Sequence, residues 1–177
     1  MNADVKTVPF ADRVDAVLYR IGFGMGWCYV LLILVIILQI TLRKGFDGGL
    51  IKLEELQWHL YAVAMMFGLT AAQVKDSHVR VDLFYSRFSA RTRYWIEILG
   101  ICVLLMPFLL VVFLNSLEYV WESWRVGEGS DAAAGLPYRW LLKAVIPASF
   151  ALMIIAALSR LYRDFSLLTD RGAANGR

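Results

Sequence analysis

Charge is scarce in this 177-residue chain: Asp, Glu, Lys and Arg make up 19% of it, against about a quarter in ordinary soluble domains. The net charge of +3 is too small and too dispersed to favour a nucleic-acid partner. Cysteine is nearly missing. Cys28 and Cys102 lie in separate apolar blocks, without a CxxC neighbour or metal-ligand spacing, so both are expected to be buried, inert thiols. The only histidines, His59 and His78, would be about 28 Å apart on one continuous helix, too far to ligate one haem or one metal ion. There is no Ser/His/Asp set, no HExxH and no glycine-rich phosphate loop. These absences argue against an enzyme and against any cofactor held by this chain.

What is abundant is apolar residue, 59% of the chain, gathered into long blocks. A spanning helix needs about 20 mainly apolar residues, and four segments qualify. They run from Ile21 to Leu42, from Leu56 to Val74, from Ile98 to Leu114 (the helix itself beginning near 96) and from Trp140 to Leu158. The fold expected is all-α, a single membrane domain of four transmembrane helices with amphipathic interfacial helices. Lys143, close to the start of the fourth helix, is expected to snorkel. Asp4, Asp12 and Asp15 crowd the stretch where a signal peptide would be basic, so the first helix is expected to remain as an anchor.

Lysine and arginine give an orientation. The N-terminal segment, the loop after helix two and the C-terminal tail hold twelve of them, and the opposite side holds six. The positive-inside rule therefore places both termini and the middle loop in the cytoplasm.

The connections carry pattern of their own. Val81, Phe84, Tyr85 and Phe88 follow i, i+3, i+4, i+7 spacing with Arg80, Arg87 and Arg91 on another face, which predicts an interfacial helix over about 79–91. Leu117, Val120, Trp121 and Trp124 form a second stripe; it reads equally as an aromatic belt at the membrane surface and as a docking surface. The stretch from Gly127 to Gly135 is small and polar, an external loop.

No span has a carboxylate near its centre, where charges usually mark ion or substrate pathways. Discontinuous helices and inverted repeats, the marks of a self-sufficient carrier, are also missing. A scaffold in a larger complex fits better than a transporter acting alone.

Three stretches resemble the small (DctQ-type) membrane subunit of tripartite ATP-independent periplasmic, or TRAP, transporters. They are Glu54-Glu55-Leu56-Gln57-Trp58-His59 before and into helix two, Asp76-Ser77-His78-Val79-Arg80-Val81-Asp82 at its other end, and Gly135-Leu136-Pro137-Tyr138-Arg139-Trp140 leading into helix four. In the second, His78, Val81 and Asp82 match a His-x-x-Val-Asp element. The order of the motifs, the four-span layout and the length agree over nearly the whole chain. One departure is Leu42-Arg43-Lys44-Gly45, where many members have an Arg-Tyr pair.

The resemblance implies a scaffold subunit of a sodium-driven importer of an organic acid. Its partners would be a large membrane subunit, which binds sodium and substrate, a periplasmic substrate-binding protein and membrane lipid. It makes Glu54, Glu55, Trp58, Asp76, His78, Arg80, Asp82, Trp121, Trp124, Arg139 and Trp140 candidates for structural or subunit-interface roles, with none in catalysis, substrate binding or metal ligation. Bland readings stand beside these: Glu54 and Glu55 favour a helix N-terminus through its dipole, and the Asp76–Asp82 cluster is also what a polar helix end looks like. A membrane anchor of a redox enzyme or a membrane assembly factor is the alternative. The first of these would need histidine pairs on facing helices.

Overall fold

A computed structural model describes residues 8–45, 50–75, 88–132 and 134–174. Within them the regular structure is helical: α1 (Pro9–Met25), α2 (Trp27–Gly45), α3 (Ile51–Val74), α4 (Ala90–Gly100), a π-helical stretch (Ile101–Leu105), α5 (Met106–Arg125) and α6 (Arg139–Ala174). The expected Asp76, His78, Arg80 and Asp82 cluster lies outside the described residues. So does most of the predicted interfacial helix. The part of it that is described holds Ser89, which caps α4 by accepting the Thr92 N–H at 3.3 Å.

Three stretches among the described residues are long and apolar enough to cross a membrane: Pro9–Gly45, Arg91–Arg125 and Arg139–Thr169. Each is longer than the apolar block that announces it. α6, with 36 residues, measures about 54 Å against a hydrocarbon layer of about 30 Å. Its charged last third therefore lies beyond the apolar part.

α3 is also long enough to span, at 24 residues, but it is less apolar and stands outside that set. Its surroundings explain the difference. It packs against α1, α2 and α6, so part of its surface meets protein. There Thr70 Oγ1 donates to the Ser149 carbonyl at 3.5 Å, and Gln73 Nε2 to the Met153 carbonyl at 3.2 Å. A helix sheltered in this way can keep polar groups that bare lipid would penalise.

The approach of α1 to α3 is close enough to require glycine. A Cβ on Gly22 would sit 2.8 Å from both the Ala71 Cβ and the Phe67 carbonyl oxygen. Ala11, Leu18 and Gly22 form the buried stripe of α1, and two of the three are too small to mark a face by hydrophobicity.

The main core lies between α5 and α6, around Leu109, Phe150 and Ala157, with Ile101 at its edge. The outer faces of α2 and α5 remain open. Leu31, Ile33, Leu34 and Ile37 of α2, Leu104 of the π-helical stretch, and Phe108, Val111 and Leu114 of α5 are all more than half exposed. The cysteines are less buried than expected: Cys28 is half-buried and Cys102 is exposed on the apolar surface.

Pro107 explains the π-helical stretch. Without an N–H it cannot continue the ladder, and the preceding Met106 N–H reaches back to the Ile101 carbonyl, one residue further than in an α-helix.

Candidate functional site

The chain leaves α5 through a Schellman cap. Gly127 adopts φ 61°, its N–H donates to the Trp124 carbonyl at 3.1 Å, and the Glu128 N–H to the Ser123 carbonyl at 3.0 Å. This left-handed position suits glycine and turns the chain back over the bundle. The Ser130 N–H then donates to the Leu136 carbonyl at 3.2 Å, and the Arg139 N–H to the Glu128 carbonyl at 3.0 Å.

One side chain fastens this loop to α3. Glu55 accepts the Leu136 N–H at 2.5 Å on one carboxylate oxygen and the Ser130 hydroxyl on the other. Contact this close leaves no room for a side chain at Gly135, whose Cβ would overlap Ser130 and lie 2.6 Å from Glu55 Oε1. The Leu136 N–H, followed by the Ser130 hydroxyl, holds the Glu55 carboxyl below its ordinary pKa of 4.5, because both bonds favour the charged form. A second clip joins the loop to α6. Glu128 accepts from Lys143 Nζ, and that bond, the largest cause, likewise lowers its pKa. Lys143 also lies 3.9 Å from the centre of the Tyr119 ring. Its side chain is 11% exposed, so it reaches toward the helix end as expected but finds a carboxylate and an aromatic face instead of open water. Arg139 completes the frame, with Nη1 2.8 Å from Asp131 Oδ2.

Glu55, Trp58 and Arg139 thus meet, together with His59, Asp131 and Leu142, around a cleft of about 370 Å³. His59 Nδ1 donates to the Glu55 carbonyl at 2.7 Å, which fixes its ring within α3. Trp58 is 68% exposed. Trp140 is half-buried where α6 begins, and Glu54 is exposed one residue from Glu55. Trp121 and Trp124, with rings 5.1 Å apart, are exposed on the last turns of α5. Two of the three family-like stretches, about 80 positions apart, therefore share one surface. Sequence reasoning missed Ser130, Asp131 and Glu128 as clips, because a short polar loop gives no periodic signal.

The opposite end, where α1 begins and α6 ends, carries a second polar network. Arg163 bonds Asp12 at 3.0 Å and Asp15 at 2.5 Å, Ser159 donates to Asp15 at 2.9 Å, and Arg160 donates to Glu97 at 3.1 Å. Asp164 is buried nearby at 4% exposure. None of these was a candidate, although Arg160, Arg163 and Asp164, at i, i+3, i+4 beyond the last apolar block, were a visible signal.

A bundle with several lipid-length apolar helices, open apolar outer faces and polar networks confined to its ends is a multi-pass membrane protein. Its sequence matches, over residues 32–167, the family described as tripartite ATP-independent periplasmic transporters, DctQ component. The match covers well over half of the chain, which belongs to that family: it is a small membrane component of a TRAP transporter. The family is one of transporter components and not of enzymes. No curated protein matches the chain.

Proposed function

We propose that this chain is the fixed scaffold of a sodium-driven importer of an organic acid in a bacterial inner membrane. It spans four times, α3 included, with both termini cytoplasmic. A large membrane subunit carries the sodium and substrate sites and covers part of the open apolar surface of α2 and α5; lipid covers the rest. The loop end faces the periplasm and offers the substrate-binding protein a preformed platform. The observation that carries this reading is the fastening of the loop through Glu55 and Glu128, which holds its shape while Trp58 and Tyr138 stay exposed. A preformed surface loses little conformational entropy on docking.

Two measurements test it. With Cys28 and Cys102 replaced by Ser, a cysteine at the exposed Ala134 should react with a membrane-impermeant thiol reagent in intact cells, and one at Ser89 should not. The reverse pattern would invert the orientation. Reconstituted alone, the chain should transport no organic acid under a sodium gradient, and adding the large subunit and binding protein should give uptake. Sodium-driven uptake by this chain alone would sink the scaffold reading.

A further inference from the structure

We propose that the outward face of α1 binds an anionic phospholipid, with Arg13 and Arg20 holding its headgroup. Charge is sorted at the terminal end, where α1 begins and α6 ends. Among the described side chains there, the acids turn inward: Asp12 and Asp15 bond Arg163, Glu97 bonds Arg160, and Asp164 is buried. Arg13, Arg20, Lys75 and Arg91 stay exposed. Arg13 and Arg20 form no ion pair among the described residues. The outer surface of this end is therefore predominantly positive, although acids are present that could neutralise it.

Two of these cations share one side of a helix. At about 100° per residue, Arg13 and Arg20 lie opposite the buried stripe of Ala11, Leu18 and Gly22. They stand two turns apart, about 10 Å along the axis. Phe10 and Val17 lie beside them, 64% and 54% exposed.

Contacts with other helices set the depth of this face. Ser159, the first residue after the fourth apolar block, donates to Asp15 at 2.9 Å. Lys75, which caps the end of α3, lies 4.2 Å from the centre of the Tyr19 ring. Asp15 and Tyr19 are thus level with the ends of two other apolar helices, and Arg13 and Arg20 flank that level. Phe10 extends the face toward α6, where its ring centre is 5.8 Å from that of Tyr162. Tyr162 and Phe165 are both more than half exposed, just beyond the same apolar block. Aromatic rings and guanidiniums mixed on one surface suit the layer between hydrocarbon and water. Water alone would leave the rings exposed, and hydrocarbon alone would strip the guanidiniums of solvent.

The headgroup chemistry follows from the cations. Phosphate oxygens accept the forked N–H donors of a guanidinium. A zwitterionic headgroup also brings a cation of its own, which a positive surface repels, whereas an anionic headgroup does not. The leaflet follows from the orientation proposed above. Lipid choice is a property of the chain alone, so it can fail while the orientation and the transporter reading stand, and the reverse.

Native mass spectrometry tests it on the full-length protein, purified in detergent with an equimolar mixture of phosphatidylglycerol and phosphatidylcholine. The wild type should retain phosphatidylglycerol in preference, and rising salt should weaken that preference. Each arginine contributes about fivefold, so Arg13→Gln combined with Arg20→Gln should lose about tenfold or more of it. Arg125→Gln, at the loop end and paired with Glu122, should keep the wild-type preference. Should the double variant not fold, the single variants decide, each with about a fivefold loss. Equal retention of the two lipids by the wild type, or an undiminished preference in the arginine variants, would overturn the proposal. So would displacement of phosphatidylglycerol by millimolar inorganic phosphate, which would make the face a site for free anions.

Discussion

At the loop end, Glu55 accepts a backbone N–H and a hydroxyl. At the terminal end, carboxylates face guanidiniums across three helices. The same residue type thus fixes two different things. Glu55 shapes a short loop whose surroundings remain open, so what it sets is a surface. Asp15 and Glu97, bonded to Arg163 and Arg160, tie α1 and α4 to α6, and little of their work is visible from outside. Changes at the loop end should therefore disturb recognition before stability, and changes at the terminal end the reverse.

The strongest way to break this comparison is Gly135→Val. No rotamer of valine avoids Ser130 and Glu55, so relief of the overlap, worth about 1–3 kcal/mol, should lift the loop off α3. Amide exchange at Ser130 and Leu136 should accelerate, and uptake by the assembled transporter should fall at least tenfold, with the helix content kept. Arg163→Ala is the counterpart. It leaves Asp12 and Asp15 without their cation at a site about a third exposed, and should cost about 1 kcal/mol in thermal unfolding while docking of the binding protein is unchanged.

Acid should act on the loop end. Glu55 and Glu128 have lowered folded-state pKa values, so their contribution is complete above the ordinary value of 4.5 and is lost as pH falls through the lower folded value. Exchange at Leu136, corrected for its intrinsic rate, should rise below about pH 4. Corrected exchange that stays flat there would show that the loop does not rely on these clips. The smallest effect on stability belongs to Trp58→Ala. An exposed side chain should change it by no more than about 0.5 kcal/mol, while uptake or binding-protein affinity falls. An unchanged affinity would remove Trp58 from the platform.

Sequence made the helical class legible because apolar blocks near lipid length have few other uses. It also exposed the small polar loop between Gly127 and Gly135 and the family-like stretches around Glu55 and Arg139. Other parts were hidden for physical reasons. The N-terminal half of α1 lies before the first apolar block, since Asp12, Arg13 and Asp15 share that helix with small buried residues. α6 continues to Ala174, past the point where hydrophobicity stops, because ion pairs replace apolar contact there. Glu54 and Glu55 both looked like favourable charges at a helix N-terminus, and the first turn of α3 holds Glu54, one residue before Glu55. The bond from Glu55 to Leu136, 81 positions away, has no local trace. Pro107 was plain in the third apolar block, but not the π-helical stretch that precedes it.

The sheltered position of α3 has a consequence for biogenesis. As it leaves the ribosome α3 has α1 and α2 for company, yet the carbonyls that satisfy Thr70 and Gln73 belong to Ser149 and Met153, made nearly 80 residues later. A helix this polar partitions poorly into lipid by itself. If α3 spans as proposed above, its insertion is a late event completed by α6, and a chain truncated before Ser149 should leave α3 only loosely held in the membrane.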